Sequence, residues 1–252
     1  MTKIILCGCN GKMGAAITGI VGERGDCEIV AGVDINTTSL NGYQVYADIA
    51  DVKETADAIV DFSNPAALDS ILAYAVEKNI PAVLCTTGYS EGQLAQIKEA
   101  SEKVAVFHSG NMSLGINLLI ALSRKAAQVL GDSFDVEIVE QHHNRKLDAP
   151  SGTALMIANA ISEELPYESR YEYDRHSVRR KREKTEIGIH SVRGGTIVGV
   201  HEVIFAGHDE VVTISHTAQS RGVFASGAVN AAIYMSGKPA GLYDMGNVIE
   251  NA

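Results

Sequence analysis

The stretch GCNGKMG, residues 8–14, lies between an apolar, β-branched run at residues 3–7 and a helical pattern at residues 13–21. Glycine adopts the backbone conformations that a tight turn needs, and its missing side chain lets a ligand approach the bare backbone. The helix that follows would offer unpaired N–H groups and the positive end of its dipole to phosphates. The stretch therefore predicts a strand–turn–helix unit that binds the pyrophosphate of a dinucleotide.

The spacing of these glycines, and the acid that follows them, bear on that prediction. The spacing is GxxGxxG rather than strict GxGxxG, and Asn10 stands where a glycine is expected. Asparagine also accepts left-handed backbone, so the departure is mild. Asp34 ends the second predicted strand about 20 residues after Gly14, where an acid accepts ribose hydroxyls in such folds. The alternative is a structural turn that binds nothing.

Strand and helix patterns alternate through the first half of the chain, which predicts a mostly parallel sheet joined by right-handed crossovers. Pro65 suits the first turn of a helix, because its missing N–H would be unpaired there anyway. The predicted strands are residues 3–7, 28–33, 58–61, 82–85 and 104–107, and the predicted helices are residues 13–21, 65–77 and 90–101.

The alternation changes after about residue 114. Consecutive strand-like runs in this half predict a second domain with a mixed or antiparallel sheet. Residues 168–184 are polar and irregular, and we expect a loop there. The predicted strands are residues 135–139, 186–192, 197–205 and 210–216, and the predicted helices are residues 116–130, 151–165 and 224–235.

Composition disfavours several classes of function. The chain has 252 residues, 46% of them hydrophobic, and a net charge of -10, which argues against global disorder and against general binding of nucleic acid or anionic membranes. We expect no signal peptide and no membrane span, because no apolar run approaches the roughly 20 residues that a span needs. We therefore expect neither a nucleic-acid partner nor a membrane partner.

Two local features are assigned ordinary roles. The basic run at residues 179–182 is expected to be a solvated surface loop rather than a binding site, because acidic residues surround it. The four cysteines are expected to be reduced residues of the core. Cys7 and Cys9 do not have the CxxC spacing of redox or zinc sites, although a catalytic thiol or a metal ligand remains the alternative.

The densest set of reactive side chains is EQHHNRKLDAPSGTA, residues 140–154. A metal site there would need Glu140 or Asp148 beside the two histidines, and no HxxxH or HExxH spacing is present, so we predict no metal. Recognition of an anion with proton transfer fits better. Backbone N–H groups of Gly152 and Thr153, at the start of the predicted helix, would hold a carboxylate.

Proton transfer in this motif is assigned to His142 and Lys146. Crowding by His143 and Arg145 is expected to favour the neutral form of Lys146 and so ease release of its proton. Ser151 either joins the anion site or caps the helix, and both roles stay open. The alternative for the whole motif is a solvent loop with accidental basic residues.

Two polar turns, CTTG at residues 85–88 and SGNM at residues 109–112, each follow a predicted parallel strand. Ligands of open α/β sheets bind outside the carboxyl ends of the strands. We therefore expect these turns to line the nicotinamide end of the dinucleotide site, with Phe62 and Ser63 on the same rim.

The motif at residues 140–154 resembles the signature of the 4-hydroxy-tetrahydrodipicolinate reductase (dihydrodipicolinate reductase) family of lysine and diaminopimelate synthesis. The resemblance spans nearly the whole chain. The other similar segments are GCNGKMG at 8–14, DFSNP at 61–65, CTTG at 85–88, GNMSLGIN at 110–117 and SRGVFASGA at 220–228.

The resemblance implies a cytoplasmic homotetramer that reduces 4-hydroxy-tetrahydrodipicolinate, a cyclic imine dicarboxylate, to tetrahydrodipicolinate with loss of water, using NADH or NADPH. It implies an α/β fold with an N-terminal Rossmann domain, residues 1–113, which the segment 221–252 rejoins. It also implies an inserted α+β domain with a mixed sheet, residues 114–220, that binds substrate and builds the tetramer.

By motif position, the resemblance implies that His142 is a proton donor and acceptor and that Lys146 is a proton donor. Substrate binding falls on His143, Gly152 and Thr153. Cofactor binding falls on Gly8, Cys9, Asn10, Gly11, Lys12, Met13, Asp34, Cys85, Thr86, Thr87, Ser109, Gly110, Asn111 and Met112.

The basic residue that some family members carry after the ribose-binding acid is absent here, where Ile35 stands. The charge of Asp34 would then oppose an adenosine 2′-phosphate, with only Lys12 as a partial offset, so we expect NADH to be used at least as well as NADPH. Rival interpretations are an aspartate or homoserine dehydrogenase and a non-catalytic dinucleotide sensor. The paired histidines with Lys146 argue against both.

Overall fold

A seven-stranded sheet forms the centre of unit 1, one of two units into which the chain divides. In this computed structural model, which describes residues 1–250, unit 1 comprises Met1–Leu114 and the segment from Arg221 onward. Its strands are β1 (Thr2–Cys7), β2 (Cys27–Val33), β3 (Gln44–Tyr46), β4 (Ala58–Asp61), β5 (Ala82–Leu84), β6 (Ala105–His108) and β12 (Gly241–Tyr243).

All the strands of this sheet are parallel, and their order is β12-β6-β5-β4-β1-β2-β3. The chain winds outward from β1 in one direction and then, from β4, in the other. Such a reversal leaves a crevice at the carboxyl ends of the central strands. The predicted Rossmann-type parallel sheet is confirmed.

Helices cover both faces of the sheet of unit 1. Side chains of β1 alternate between two apolar cores: Ile4 and Leu6 enter the core formed with the first and sixth helices, and Ile5 and Cys7 enter the core formed with the second and third. The strand is therefore apolar throughout, as a strand buried on both faces must be. The helices of unit 1 are α1 (Lys12–Gly22), α2 (Leu68–Lys78), α3 (Glu91–Ser101), α6 (Gly222–Met235) and α7 (Met245–Glu250).

Unit 2, Gly115–Ser220, is built on a five-stranded mixed sheet. An apolar core packs α4 and α5 of this unit against the sheet. The elements of this half of the chain are α4 (Leu114–Leu130), β7 (Asp135–His142), α5 (Gly152–Ser162), β8 (Arg170–Glu172), β9 (Glu186–Arg193), β10 (Gly199–Ala206) and β11 (Val211–Ala218).

The strand order in this sheet is β11-β10-β7-β9-β8. β9 runs parallel to β7 and β8, whereas β10 runs antiparallel to β7 and β11. This confirms the predicted mixed sheet. No helix within residues 1–250 is long and apolar enough to cross a membrane.

Residues 179–182 form an irregular and mostly exposed segment, as expected, and two of its arginines also pair with acidic residues of the sheet. Arg180 pairs with Glu172 at 2.8 Å and with Glu186, while Arg182 pairs with Glu137 at 3.0 Å. Glu186 begins β9 and is 1% exposed. A carboxylate buried to that extent needs cationic partners, and the arginines of this segment supply them.

Candidate active site

The glycine-rich turn between β1 and α1 has no room for a side chain at two of its glycines. Gly8 has a left-handed backbone with φ of 75°, and a Cβ there would lie 2.6 Å from the carbonyl oxygen of Phe62. A Cβ on Gly14 would lie 2.3 Å from the carbonyl oxygen of Cys9. Gly11 is the N-cap residue of α1 and makes no side-chain cap. The N–H groups of the first turn of α1 are therefore not covered by a capping side chain, which fits a bound pyrophosphate.

The carboxylate of Asp34 is fixed at the end of β2. Its two oxygens accept hydrogen bonds from the backbone N–H groups of Asn10 and Asn36, each at 3.0 Å. The side-chain amide of Asn10 donates to the carbonyl oxygens of Asn36 at 2.6 Å and Thr38 at 3.0 Å. Asn10 therefore ties the glycine turn to the loop after β2, which gives a reason for asparagine at this position.

A cavity of about 300 Å³ lies beside this turn in unit 1. Gly8, Gly11, Asp34 and Ile35 line one part of it, and Asp48 lies among its other lining residues. Of the described residues that line it, two are carboxylates and none is Lys or Arg. The described lining of this cavity therefore carries negative charge and no positive charge.

A second cavity in unit 1, of about 360 Å³, lies at the carboxyl ends of β5 and β6. The structure brings both predicted polar turns together around it. Phe62 lines both cavities, so the two are adjacent parts of one crevice. The lining residues are Met13, Phe62, Cys85, Thr87, Ser109, Gly110, Asn111, Met112 and Phe224.

Two of the predicted cofactor residues turn their side chains inward. Cys9 is fully buried, and the hydroxyl of Thr86 donates to the carboxylate of Asp61 at 2.8 Å. Asp61 ends β4, is fully buried, and also accepts from the hydroxyls of Ser63 at 2.5 Å and Tyr89 at 3.3 Å. The sequence interpretation missed Asp61, although a carboxylate that ends an apolar strand was a visible signal. It holds Ser63 and Thr86, a residue of the first polar turn, at the end of β4.

The four cysteines are free and buried. Burial raises the pKa of the Cys7 and Cys85 thiols, which keeps them neutral and unreactive. Among residues 1–250, no group of three or more His, Cys, Asp and Glu side chains could hold a metal ion.

In unit 2, the histidine pair lies at the end of β7, and the first histidine is held by a buried carboxylate. Nδ1 of His142 is 2.5 Å from Oε2 of Glu140, which is fully buried. Glu140 also accepts both arms of the Arg193 guanidinium, at 2.6 and 2.8 Å, and the N–H of Ser151 at 3.2 Å. Burial alone would raise the pKa of Glu140, but hydrogen bonds from Arg193, Ser191 and His142 outweigh it and hold the pKa at about 2.

A further histidine, His201 of β10, packs edge-on against His142. The rings of His201 and His142 have centroids 5.3 Å apart and an interplanar angle of 75°. Burial, reinforced by His142, lowers the pKa of His201 to about 4, so His201 is neutral at pH 7. Its Nε2 lies 3.2 Å from Oγ of Ser151, which accepts the N–H of Ala154 and therefore caps α5. Burial also lowers the pKa of His142, against the opposing effect of Glu140.

Lys146 lies in the loop between β7 and α5, with Nζ 2.8 Å from Oδ1 of Asp148. The expectation for Lys146 considered crowding by His143 and Arg145 and did not include this carboxylate partner. The hydrogen bond from Lys146 lowers the pKa of Asp148. Arg193 donates to the carbonyl oxygen of Asp148 at 2.7 Å and so fixes the same loop.

The predicted substrate residues lie on either side of this loop. Gly152 and Thr153 are the first residues of α5, at the positive end of its dipole. Nδ1 of His143 is buried and has no hydrogen-bond partner among the described residues. A buried nitrogen without a protein partner is able to bind a ligand.

Comparison with known proteins gives a consistent result over the full length of the chain. Family models described as dihydrodipicolinate reductase, N-terminus and C-terminus, match residues 2–112 and 115–249. A 4-hydroxy-tetrahydrodipicolinate reductase of Caldanaerobacter subterraneus subsp. tengcongensis is 52% identical over 250 residues, 99% of each chain. The protein of that name from Clostridium novyi is 49% identical over 251 residues, 100% of this chain and 99% of that one.

A solved structure supports the same assignment. The dipicolinate-bound dihydrodipicolinate reductase from Paenisporosarcina sp. TG-14 is similar with a TM-score of 0.81 and 27% identity, covering 98% of this chain and 99% of that one. The fold and these matches define an oxidoreductase with a Rossmann-type sheet. The chain belongs to the dihydrodipicolinate reductase family, which confirms the resemblance seen in its motifs.

Proposed function

We propose that the chain reduces 4-hydroxy-tetrahydrodipicolinate to tetrahydrodipicolinate, with loss of water, in lysine and diaminopimelate biosynthesis. The observation that carries this proposal is the full-length identity of 52% to a reductase of that name. The contacts of Glu140 with His142 and Ser151, and the pairing of Lys146 with Asp148, support it. The experiment that tests it is a turnover assay with substrate generated in place, described at the end of the Discussion.

NADH or NADPH fits the glycine turn and the two cavities of unit 1, and when bound it supplies a hydride to C4 of the substrate ring. The turn at residues 8–14 and the N-terminus of α1 hold the pyrophosphate. Asp34, already oriented by two backbone N–H groups, accepts the ribose hydroxyls with its remaining lone pairs. The turns at residues 85–88 and 109–112 hold the nicotinamide end.

Loss of water from the 4-hydroxy substrate precedes hydride transfer and leaves a double bond between C4 and the next ring carbon. Protonation of that carbon completes the reduction, and two side chains share this work. Lys146 is the donor, with its Nζ positioned 2.8 Å from Oδ1 of Asp148. His142 is neutral at pH 7, because burial lowers its pKa from its ordinary value near 6.5. In that state His142 accepts a proton at Nε2. This fits a residue that both accepts and donates a proton during the catalytic cycle.

The substrate carboxylate is bound by His143, Gly152 and Thr153. Support for this comes from the unpaired buried Nδ1 of His143 and from the position of the other two residues at the start of α5. These contacts are present before and during hydride transfer, so they contribute mainly to substrate affinity.

The cofactor preference follows from the acidic lining of the adenosine cavity. We expect kcat/KM with NADH to be at least equal to that with NADPH, because Asp34 and Asp48 would both oppose a 2′-phosphate. Ile35→Arg should move the ratio toward NADPH by about tenfold, or ~1.4 kcal/mol. Val129→Arg, which adds the same charge at an exposed position of unit 2, should leave the ratio unchanged. A wild-type ratio that favours NADPH by more than about tenfold would contradict the assignment.

The assembly is a homotetramer, in the cytoplasm, built through the sheet of unit 2. The edge strand β11 supports this, because Val211 and Val212 are 63% and 38% exposed on it, and uncovered edges favour pairing with another subunit. Light scattering at micromolar concentration should give four times the chain mass of 26.8 kDa. A monomer under those conditions would contradict this assembly.

A further inference from the structure

A buried network in unit 2 joins three strands at His142. Glu140 and His142 lie on β7, Arg193 ends β9, and His201 lies on β10. Glu140 is fully buried and His201 is 4% exposed. The groups that face the His142 ring are thus Glu140 on its own strand, Arg193 and His201 on the neighbouring strands, and Lys146 on the following loop.

The carboxylate of Glu140 determines which nitrogen of His142 carries the proton. An ionised carboxylate only accepts hydrogen bonds, and Glu140 is ionised because its pKa is about 2. Nδ1 of His142, at 2.5 Å from Oε2, must therefore be the N–H donor. In the neutral ring the opposite nitrogen, Nε2, then holds the lone pair and exchanges the proton.

Arg193 makes this arrangement possible inside the protein. A carboxylate buried without a cation would be strongly destabilising. Arg193 binds Glu140 with two parallel N–H···O bonds, a geometry that fixes the carboxylate as well as its charge. The same guanidinium donates to the carbonyl oxygen of Asp148, whose side chain pairs with Lys146. One arginine thus orders both proton-transfer residues.

The residue beside Nε2 of His142 is a glycine. Gly199, the first residue of β10, lies beside the ring, and a Cβ there would be 3.3 Å from Nε2 of His142. That contact is tighter than ordinary van der Waals distance, so any side chain at residue 199 would displace the ring or crowd the nitrogen.

From this geometry we propose that Glu140 and Arg193 are positioning residues for the reduction, which hold His142 in the Nδ1–H tautomer with Nε2 as its proton-exchanging atom. They act through His142 and Lys146 and not by direct contact with substrate or cofactor. The kinetic consequences of this proposal rest on the proposed function, whereas the tautomer of His142 can be determined without any turnover.

Glu140→Gln is the variant that tests the kinetic consequence. Arg193 has only N–H groups to offer, so it takes the amide oxygen, and the amide NH2 is turned toward Nδ1. Nδ1 then accepts and Nε2 carries the proton, the wrong tautomer. We expect kcat to fall by about 10²-fold or more with a smaller change in KM, as reversed tautomers do in hydrolytic triads. NADH affinity should be unchanged, because the predicted cofactor residues lie in unit 1.

The pH profile separates this effect from general damage. Activity that needs neutral His142 falls as pH drops through the pKa of that residue. Glu140 raises this pKa, so removing its charge should move the acidic limb of kcat/KM to lower pH. Glu137→Gln is the matched control, because Glu137 lies on the same strand and also binds a histidine, His190 at 2.7 Å, and arginines. It should leave kcat and the acidic limb near their wild-type values.

Nitrogen NMR of the histidine-labelled wild-type protein, with His142 assigned through His142→Asn, tests the tautomer without a substitution at Glu140. We expect a protonated Nδ1 and an unprotonated Nε2 at pH 7.5. A protonated Nε2 in the wild type, or a Glu140→Gln protein with wild-type kcat and acidic limb, would overturn the proposal. Absence of turnover in the wild type would instead contradict the proposed function. The NMR measurement alone would then decide the tautomer of His142.

Discussion

Lys146→Ala and His142→Ala are each expected to lower kcat by about 10²–10⁴-fold, the range typical of general acid and base groups. The Lys146 side chain is held by Asp148, and the His142 ring is held by Glu140, so both groups are already oriented for proton transfer. Their interactions strengthen mainly in the transition state, which is why the effect falls on kcat. Steady-state kinetics with enzymatically generated substrate measures it.

Substitutions at the substrate residues give the contrast. His143→Ala and Thr153→Val should raise the KM for substrate more than they lower kcat, because these residues hold the carboxylate in ground and transition states alike. None of the four substitutions should alter NADH affinity, measured by fluorescence titration. If His142→Ala and Lys146→Ala both kept near-wild-type kcat, residues 140–154 would be a binding loop only.

Gly14→Ala is expected to abolish NADH binding and to destabilise unit 1 by about 3 kcal/mol or more. The new methyl group would lie 2.3 Å from the carbonyl oxygen of Cys9 and 2.4 Å from that of Gly8. These are backbone atoms of the turn, so no side-chain rotation relieves the clash. α1 must then move away from the turn, and the N–H groups that hold the pyrophosphate move with it. NADH titration and thermal unfolding measure the two effects.

Gly19→Ala is the matched control on the same helix. A Cβ at Gly19 meets nothing within 4 Å, and the residue lies in the interior of α1. Alanine there should raise stability by up to about 1 kcal/mol through helix propensity and leave NADH affinity unchanged. Equal effects of the two substitutions would show that close packing at Gly14 is not what the turn requires.

Much of the fold was predictable because its signals are local. The apolar run of β1, the glycines that follow it and the acid at residue 34 specify one strand–turn–helix–strand unit within a short stretch of sequence. Asp34 lies where the spacing predicts, with Asn10 bound to it at 3.0 Å. The alternating runs of unit 2 predicted β9, β10 and β11 for the same reason, since period two is visible in each strand alone.

The strands that the sequence interpretation missed are short ones that depend on a neighbouring strand. β3, β8 and β12 have three residues each and are held by pairing with β2, β9 and β6. A strand of three residues is too short to show a period of two. The partner of β12, which is β6, is also distant in the sequence. The predicted helix at residues 151–165 ends earlier, at Ser162, because boundaries are set by hydrogen bonds rather than by composition.

The residues of the candidate site were likewise predictable only in part. The reactive side chains of residues 140–154 were visible as one motif, but Arg193 and His201 lie about 50 residues downstream in strands that carry no motif of their own. Only the sheet order brings β9 and β10 to either side of β7. The ion pairs of the arginines near residue 180 could not be predicted for a related reason: their buried partner Glu186 could be recognised only in the folded sheet.

The most direct test of the central claim is a coupled assay. Aspartate semialdehyde, pyruvate and the synthase that condenses them are mixed with this protein and NADH, and the absorbance of the reduced cofactor is followed. We predict loss of absorbance that requires every component and that falls by at least about 10²-fold with Lys146→Ala. If the wild-type protein binds NADH but gives no loss of absorbance with either reduced cofactor, the chain is not a reductase of this substrate and the account is contradicted.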